Sequence, residues 1–218
     1  MAIKISRGEK IFRVSNHILL ILISLSFILP FFIVFSTSLV SQAEAIRRGT
    51  FILWPERMDF SAYKLLLSSG SAVFRAYGIT IFRVVVGTLL QLLFTCFMAY
   101  AISKQSLPGR KTILTIAFVT MIFPPLLIPR YLVTKYMGLL DSVWSLIIPA
   151  LISTYFLFIM IAFFRQIPQS IEEAAIIDGC NPVALLFKII LPLSLPSIAT
   201  IGLFYAIWHW NYWFDAAI

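Results

Sequence analysis

Residues 18–43, ILLILISLSFILPFFIVFSTSLVSQA, carry no formal charge. About 20 predominantly apolar residues in a helix cross the hydrocarbon of a bilayer. A run of this length has few other stable homes, so it is read as a first membrane span over 17–40. Pro30 falls inside it, and a kink there is tolerable if neighbouring groups satisfy the freed carbonyl. The basic start of the chain and the Ala43-Glu44-Ala45 triplet imitate a cleaved secretory leader. The apolar region of such a leader is only about 7–15 residues, so a retained span is expected.

The rest of the chain agrees. It is 61% hydrophobic and only 12% charged, with mean hydropathy +0.97. Soluble domains carry about 25% charged residues. The bilayer is the expected solvent. Residues 84–103 are again uncharged, and the expected spans are 17–40, 77–103, 112–129, 143–164 and 193–214. The segments between them are a basic N-terminus (1–16), an exposed and partly ordered loop (41–75), a turn (104–111) and a polar segment (165–192). Two adjacent prolines in FPPLLIP, 123–129, predict a broken helix at the end of the third span. Irregular backbone at membrane depth needs protein or water around it, which points to a bundle. The fold class expected is an all-α integral membrane protein of about five transmembrane helices in one domain, 1–218.

The net charge of +8 comes from 17 Lys and Arg against 9 Asp and Glu. These cations sit mainly between apolar runs, so they flank membrane, and no nucleic-acid partner is expected. Short loops obey the positive-inside rule best. Lys104, Arg110 and Lys111 crowd one such loop, which sets the N-terminus inside. Arg83, at the start of the second span, either snorkels to the headgroups or lines an aqueous path. Cys96 and Cys180 form no metal or disulfide pattern, and His17 and His209 are far apart.

The segment IEEAAIIDGCNPVALLFKIILP, 171–192, is where acidic residues cluster. Pro168 suits a first helical position, and Ser170 with Glu173 has capping-box spacing as an alternative start. Glu172 and Glu173 favour the positive end of the helix dipole. Gly179 stops this helix in a left-handed conformation, and Asn181-Pro182 starts a second one, ended by Pro192 at the membrane. Ala174 and Ala175 lower the profile of one side. On physics alone the segment is either a protein-docking element or a solvated connection.

Glu173-Ala174-Ala175, then Gly179, Ile189 and Leu191-Pro192, resembles the EAA loop of bacterial ABC importer permeases, matching its spacing at each defined position. Asp178 and the preceding Glu172 fit the same pattern. The basic N-terminus, the long first outer loop and FPPLLIP look like the carbohydrate-uptake branch, the maltose-type second permease and its relatives. The resemblance implies a bacterial inner-membrane, multi-pass subunit whose N-terminus and EAA loop are cytoplasmic. It implies a second, similar or different permease subunit, two ATPase subunits and an extracytoplasmic solute-binding protein. It implies that the EAA loop is a coupling helix seated in a groove of the ATPase, with Glu173 paired to a basic residue there. Ala174, Ala175 and Gly179 would allow close docking and the turn. The family usually has a sixth span, which is missing from the expected set here.

The chain has no G-x-x-x-x-G-K-[ST] loop. No cofactor is expected on it directly, and ATP would be used by the partner ATPase. For a carbohydrate path the candidates are Trp208, Asn211 and Tyr212 in the WHWNYW cluster, with Gln91 and Thr120 in earlier spans. An interfacial aromatic belt is the competing reading of that cluster. An importer of amino acids or other small solutes is the near alternative. The nine acids all fall in loops or at span edges, which disfavours an ion-coupled carrier. No nucleophile, base or metal constellation supports an enzyme.

Overall fold

The computed structural model describes residues 7–49, 51–68 and 72–216. All regular structure among them is helical. By its contacts the chain falls into two compact units, Met1–Arg75 and Ala76–Ile218.

In the first unit, α1 (Arg7–Ser38) is a 32-residue helix that runs through Pro30. Its apolar window has none of its surface buried in the protein. Hydroxyls along it are satisfied internally: Ser24 donates to the Leu20 carbonyl at 2.8 Å and Ser26 to Ile23 at 2.7 Å. Such a helix exposes no backbone need to lipid.

Residues 41–49 and 51–68 carry two short helices in otherwise irregular, mostly exposed chain. Here α2 (Gln42–Arg48) is capped by Ser41, and α3 (Ser61–Leu66) follows Asp59, whose carboxylate accepts from the Ser61 N–H at 2.8 Å. Glu44 is the centre. It is almost fully buried and accepts from the Glu56 N–H at 3.0 Å and from Arg48 at 2.6 Å. The Glu56 N–H, aided by Arg48, holds the Glu44 carboxyl below the usual carboxylate range. Arg47 pairs with Glu56 at 2.5 Å, and Ile52 is buried.

The second unit is built on α4 (Ala72–Ser103), counted here from Ala76 onward, with a π-type turn at Arg83–Gly87. Two further helices, α7 (Thr154–Phe164) and α10 (Leu195–Asn211), pack on it. Without a hydrophobic drive between helices in lipid, close approach through small residues holds such a bundle. Ala99 is fully buried, and a Cβ at Gly202 would meet Leu92 at 3.0 Å. Thr95 and Tyr205 share a buried hydrogen bond of 2.8 Å across the same interface. Leu157, Met160, Ile190 and Ile201 complete the core.

The remaining spans are broken. Over the expected third span, α5 (Arg110–Ile122) stops after 13 residues, about 20 Å of helix. Pro124 forces Phe123 out of helical geometry, to φ −112° and ψ 74°. The chain restarts as α6 (Leu127–Tyr136). The fourth span is two 3₁₀ turns, Val143–Leu146 and Ile148–Ala150, followed by α7 at a bend of 51°. In the polar segment, α8 (Gln169–Ile177) precedes α9 (Pro182–Leu193), and α9 meets α10 at 84°. Among the described residues, two helices are long and apolar enough to cross a membrane, or four if each bent pair counts as one span.

Candidate functional site

Local chemistry shapes α8 closely. Pro168, extended at φ −58° and ψ 131°, is the residue before the helix rather than its first position. At the other end, Cys180 N–H donates to Ala175 O at 2.9 Å and Gly179 N–H to Ile176 O at 3.0 Å. This pair of bonds is a Schellman ending, which requires the left-handed residue that Gly179 supplies at φ +82°. Asn181 Oδ1 then accepts from the Ala184 N–H at 2.8 Å, with Pro182 in the first turn. Pro192 does not end α9 as expected. The Leu191 N–H reaches Leu186 O across a π-type turn, and the helix continues to Leu193.

The two sides of α8 differ. One side is pinned to the chain. Glu172 accepts a charge-assisted hydrogen bond from Lys104, at the end of α4, and that ammonium also lies 4.3 Å from the Tyr100 ring centroid. Ala175 is buried in the core, so its methyl faces this chain rather than the docking side expected for it. Ile189 and Leu191 pack on the same core, while Pro192 is exposed. Arg110 Nε donates to Ile102 O at 2.8 Å and closes the end of α4.

The other side is open. Glu173, Ala174, Ile176, Ile177, Asp178 and Gly179 are exposed, Ile177 at 85%. Glu173 and Ile177 are four residues apart and share a face. Glu173 is held only by Gln169 Nε2, at 2.8 Å, within its own helix. An exposed isoleucine beside a carboxylate, on a helix fixed from behind, is suited to receive another protein.

At the far end of α4 lies a cluster that contradicts the snorkelling expectation. Arg83 is only 4% exposed. Its Nε donates to His209 Nδ1 at 3.2 Å and its Nη1 to the Tyr212 carbonyl. The guanidinium lies 5.4 Å from the Trp208 ring centroid and 5.9 Å from that of Tyr212. Those two rings stack at 4.9 Å. Arginine suits this role because its flat cation both stacks and donates. His209 is buried against Gly87, where any Cβ would overlap its ring. Arg130 of α6 reaches Tyr212 Oη at 3.4 Å.

The path candidates thus separate. Trp208 and Tyr212 turn inward over Arg83. Asn211 is exposed, with its amide on Ile207 O at 2.8 Å, and Trp210 and Trp213 are exposed beside it. Gln91 is buried and donates to Ala150 O at 2.6 Å, covering a carbonyl freed by the broken fourth span. Thr120 bonds Ala117 O in its own helix at 2.9 Å. The structure does not bring these five together. Sequence reasoning named Arg83 and Lys104 but missed their contacts with His209 and Glu172, and it missed the buried Glu44. The one available hint was a cation at each end of a long uncharged run.

The fold is thus a bundle of apolar helices with one short helix whose outer side is exposed. Residues 91–213 match the family described as "Binding-protein-dependent transport system inner membrane component". The chain is 40% identical over 213 residues to Protein LplC of Bacillus subtilis, covering 98% of this chain and 72% of that one. It is 40% identical over 199 residues to the polygalacturonan/rhamnogalacturonan transport system permease protein YtcP of the same organism, covering 91% and 69%. It resembles a chain in the "Crystal structure of a bacterial ABC transporter involved in the import of the acidic polysaccharide alginate" at TM-score 0.85 and 35% identity, covering 97% of this chain and 76% of that one. The chain belongs to this family of inner-membrane transport components. It is a permease subunit and not an enzyme.

Proposed function

We propose that the chain forms half of the translocation path of an ATP-driven carbohydrate importer. A second permease chain supplies the other half. A solute-binding protein delivers the substrate outside, and a pair of ATPase subunits works inside. The observation that carries this reading is the two-sided α8. Its inner side is locked to α4 through Lys104–Glu172 and to the core through Ala175. Its outer side offers Glu173, Ala174, Ile176 and Ile177. A force applied to that outer side is transmitted to the base of α4 without slack. Closure of the ATPase dimer would then bias the membrane helices between two states through differential contact.

On this reading α8, the 104–111 turn and the N-terminus are cytoplasmic, and the segment around Glu44 is outside. ATP binds the partner ATPase, and this chain holds no cofactor of its own. Carbohydrate is supported by the named roles of YtcP and the alginate importer. The test is uptake by the complete importer in proteoliposomes, with ATP inside, using radiolabelled neutral and uronic oligosaccharides and amino acids as competitors. The proposal expects ATP-dependent uptake of at least one oligosaccharide class. Uptake of amino acids alone overturns it.

A further inference from the structure

A cavity of about 470 Å³ lies beside the Arg83 cluster, between the start of α4, α6 and the turns that precede α7. Pockets that hold small ligands run from about 300 to 1,000 Å³. Its lining is unusual for a membrane bundle. Arg130, Tyr131, Thr134, Asp141, Ser142 and Ser145 contribute to it. They supply a cation, a carboxylate, a phenol and three aliphatic hydroxyls.

Each hydroxyl is oriented by the backbone. Thr134 donates to Arg130 O at 3.0 Å, and Ser145 donates to Ser142 O at 2.7 Å. The Ser142 oxygen accepts from the Trp144 N–H at 3.3 Å. A serine or threonine hydroxyl has one proton and two acceptor sites. With the protons of Thr134 and Ser145 spent on carbonyls, their oxygens accept from whatever enters. Asp141 adds a carboxylate on the same wall. It stands at φ +59°, a left-handed turn position that aspartate and asparagine adopt more readily than other non-glycine residues.

The cavity is also at the right end of the molecule. It contains Ile79, and α4 runs from there to Lys104, the anchor of the coupling helix. Twenty-five helical residues separate these ends by about 37 Å, more than the hydrocarbon thickness. The cavity therefore opens on the membrane face opposite α8. That is the face on which a delivered solute enters.

We infer that this cavity is an entry subsite for one glycosyl unit, in which Asp141, Thr134 and Ser145 accept from sugar hydroxyls and Arg130, Tyr131 and Ser142 donate to sugar oxygens. The inference rests on the carbohydrate reading and makes it specific. Acceptors at Asp141, Thr134 and Ser145 beside donors at Arg130, Tyr131 and Ser142 suit a ligand that carries several hydroxyl groups, each of which both donates and accepts. Tyr131 gives the pocket an aromatic edge for the apolar face of a pyranose.

The experiment uses the assembled permease–ATPase complex in nanodiscs without its binding protein, so that only sites in the membrane part report. Maltotriose and trigalacturonate serve as neutral and uronic probes. Binding is read by saturation-transfer NMR and titrated to a Kd. Asp141→Asn keeps the shape and tolerates positive φ, but it removes the charge. Ser145→Trp fills the cavity from another wall and guards against an effect peculiar to position 141. The expected result is binding of at least one probe, weakened about tenfold by D141N, as befits loss of a charge-assisted hydrogen bond, and abolished by S145W. If the wild-type complex binds neither probe, or both variants bind as wild type, the subsite is overturned. Uptake of oligosaccharide by the complete importer in that case leaves the carbohydrate reading standing. Absence of such uptake brings both down.

Discussion

At Gly87 a hydrogen in place of a side chain lets the His209 ring sit directly against α4. Four residues earlier, Arg83 donates to the same ring from the other side. The pair clamps the end of α10 to the start of α4. Gly87→Ala drives a methyl into the imidazole, and overpacking of this kind costs about 1–3 kcal/mol. Thermal unfolding of the detergent-purified permease is expected to shift down by several degrees. An unchanged transition would show that the ring can step aside. Glu44 makes the corresponding prediction for the segment folded around it. Its folded carboxyl is held below the usual carboxylate range by the Glu56 N–H first and Arg48 after it. A group with a depressed folded pKa contributes stability above its unfolded pKa and loses it as pH falls through the folded one. The protection factors of the amides at 42–48 and 51–61, taken relative to intrinsic exchange at each pH, are therefore expected to fall as the pH drops through the carboxylate range. Glu44→Gln removes that acid dependence. A wild type whose segment stays equally protected down to strongly acidic pH would contradict the role assigned to Glu44.

Among the elements, α8 is the one whose geometry has a functional reading at every position. Its C-terminal turn depends on Gly179 at φ +82°, and a side chain there costs roughly 1 kcal/mol. Its attachment depends on Lys104. Reversing one charge, Lys104→Glu, is expected to abolish substrate-stimulated ATP hydrolysis while the complex still assembles. The swap Lys104→Glu with Glu172→Lys is expected to restore most of it. Failure of the swap, with both proteins folded, would mean that the bond locates α8 but does not transmit force. Ile177 tests the opposite side. Because it is exposed here, Ile177→Asp should leave the permease fold intact and remove the ATPase from the purified complex. Retention of the ATPase would move the docking surface elsewhere.

For the whole molecule, the readable parts were those set by neighbours in sequence. Gly179 and Asn181-Pro182 announce a helix stop and restart because their partners lie within five residues. Pro124-Pro125 announces a break for the same reason. The parts that escaped depend on packing. Arg83 meets His209 across 126 residues, and Lys104 meets Glu172 across 68. An arginine at the edge of an apolar run looks the same whether it snorkels or folds inward, and only the approach of α10 decides. Pro192 misled because a π-type turn upstream can carry a helix through it. Among the described residues the all-α bundle has two long helices and two bent pairs; the bends of 51° between Ala150 and Thr154 and of 84° at Ser194 were not legible because they depend on what packs beside them. Gln91, placed in the path by its polarity, covers the Ala150 carbonyl at one such bend. The family pattern at 172–192 was legible, whereas the division of those residues into an anchored and an open side was not.

On the proposed function, ATP-driven motion enters the membrane at the open side of α8. The most direct measurement is disulfide cross-linking in the transport-competent complex, with Cys96 and Cys180 replaced by alanine and single cysteines placed at Glu173 and Ile177. The account predicts cross-links from both positions to a cysteine in the ATPase groove, with yields that change when ATP is added. A complex that transports its substrate yet forms no cross-link from either position would contradict it.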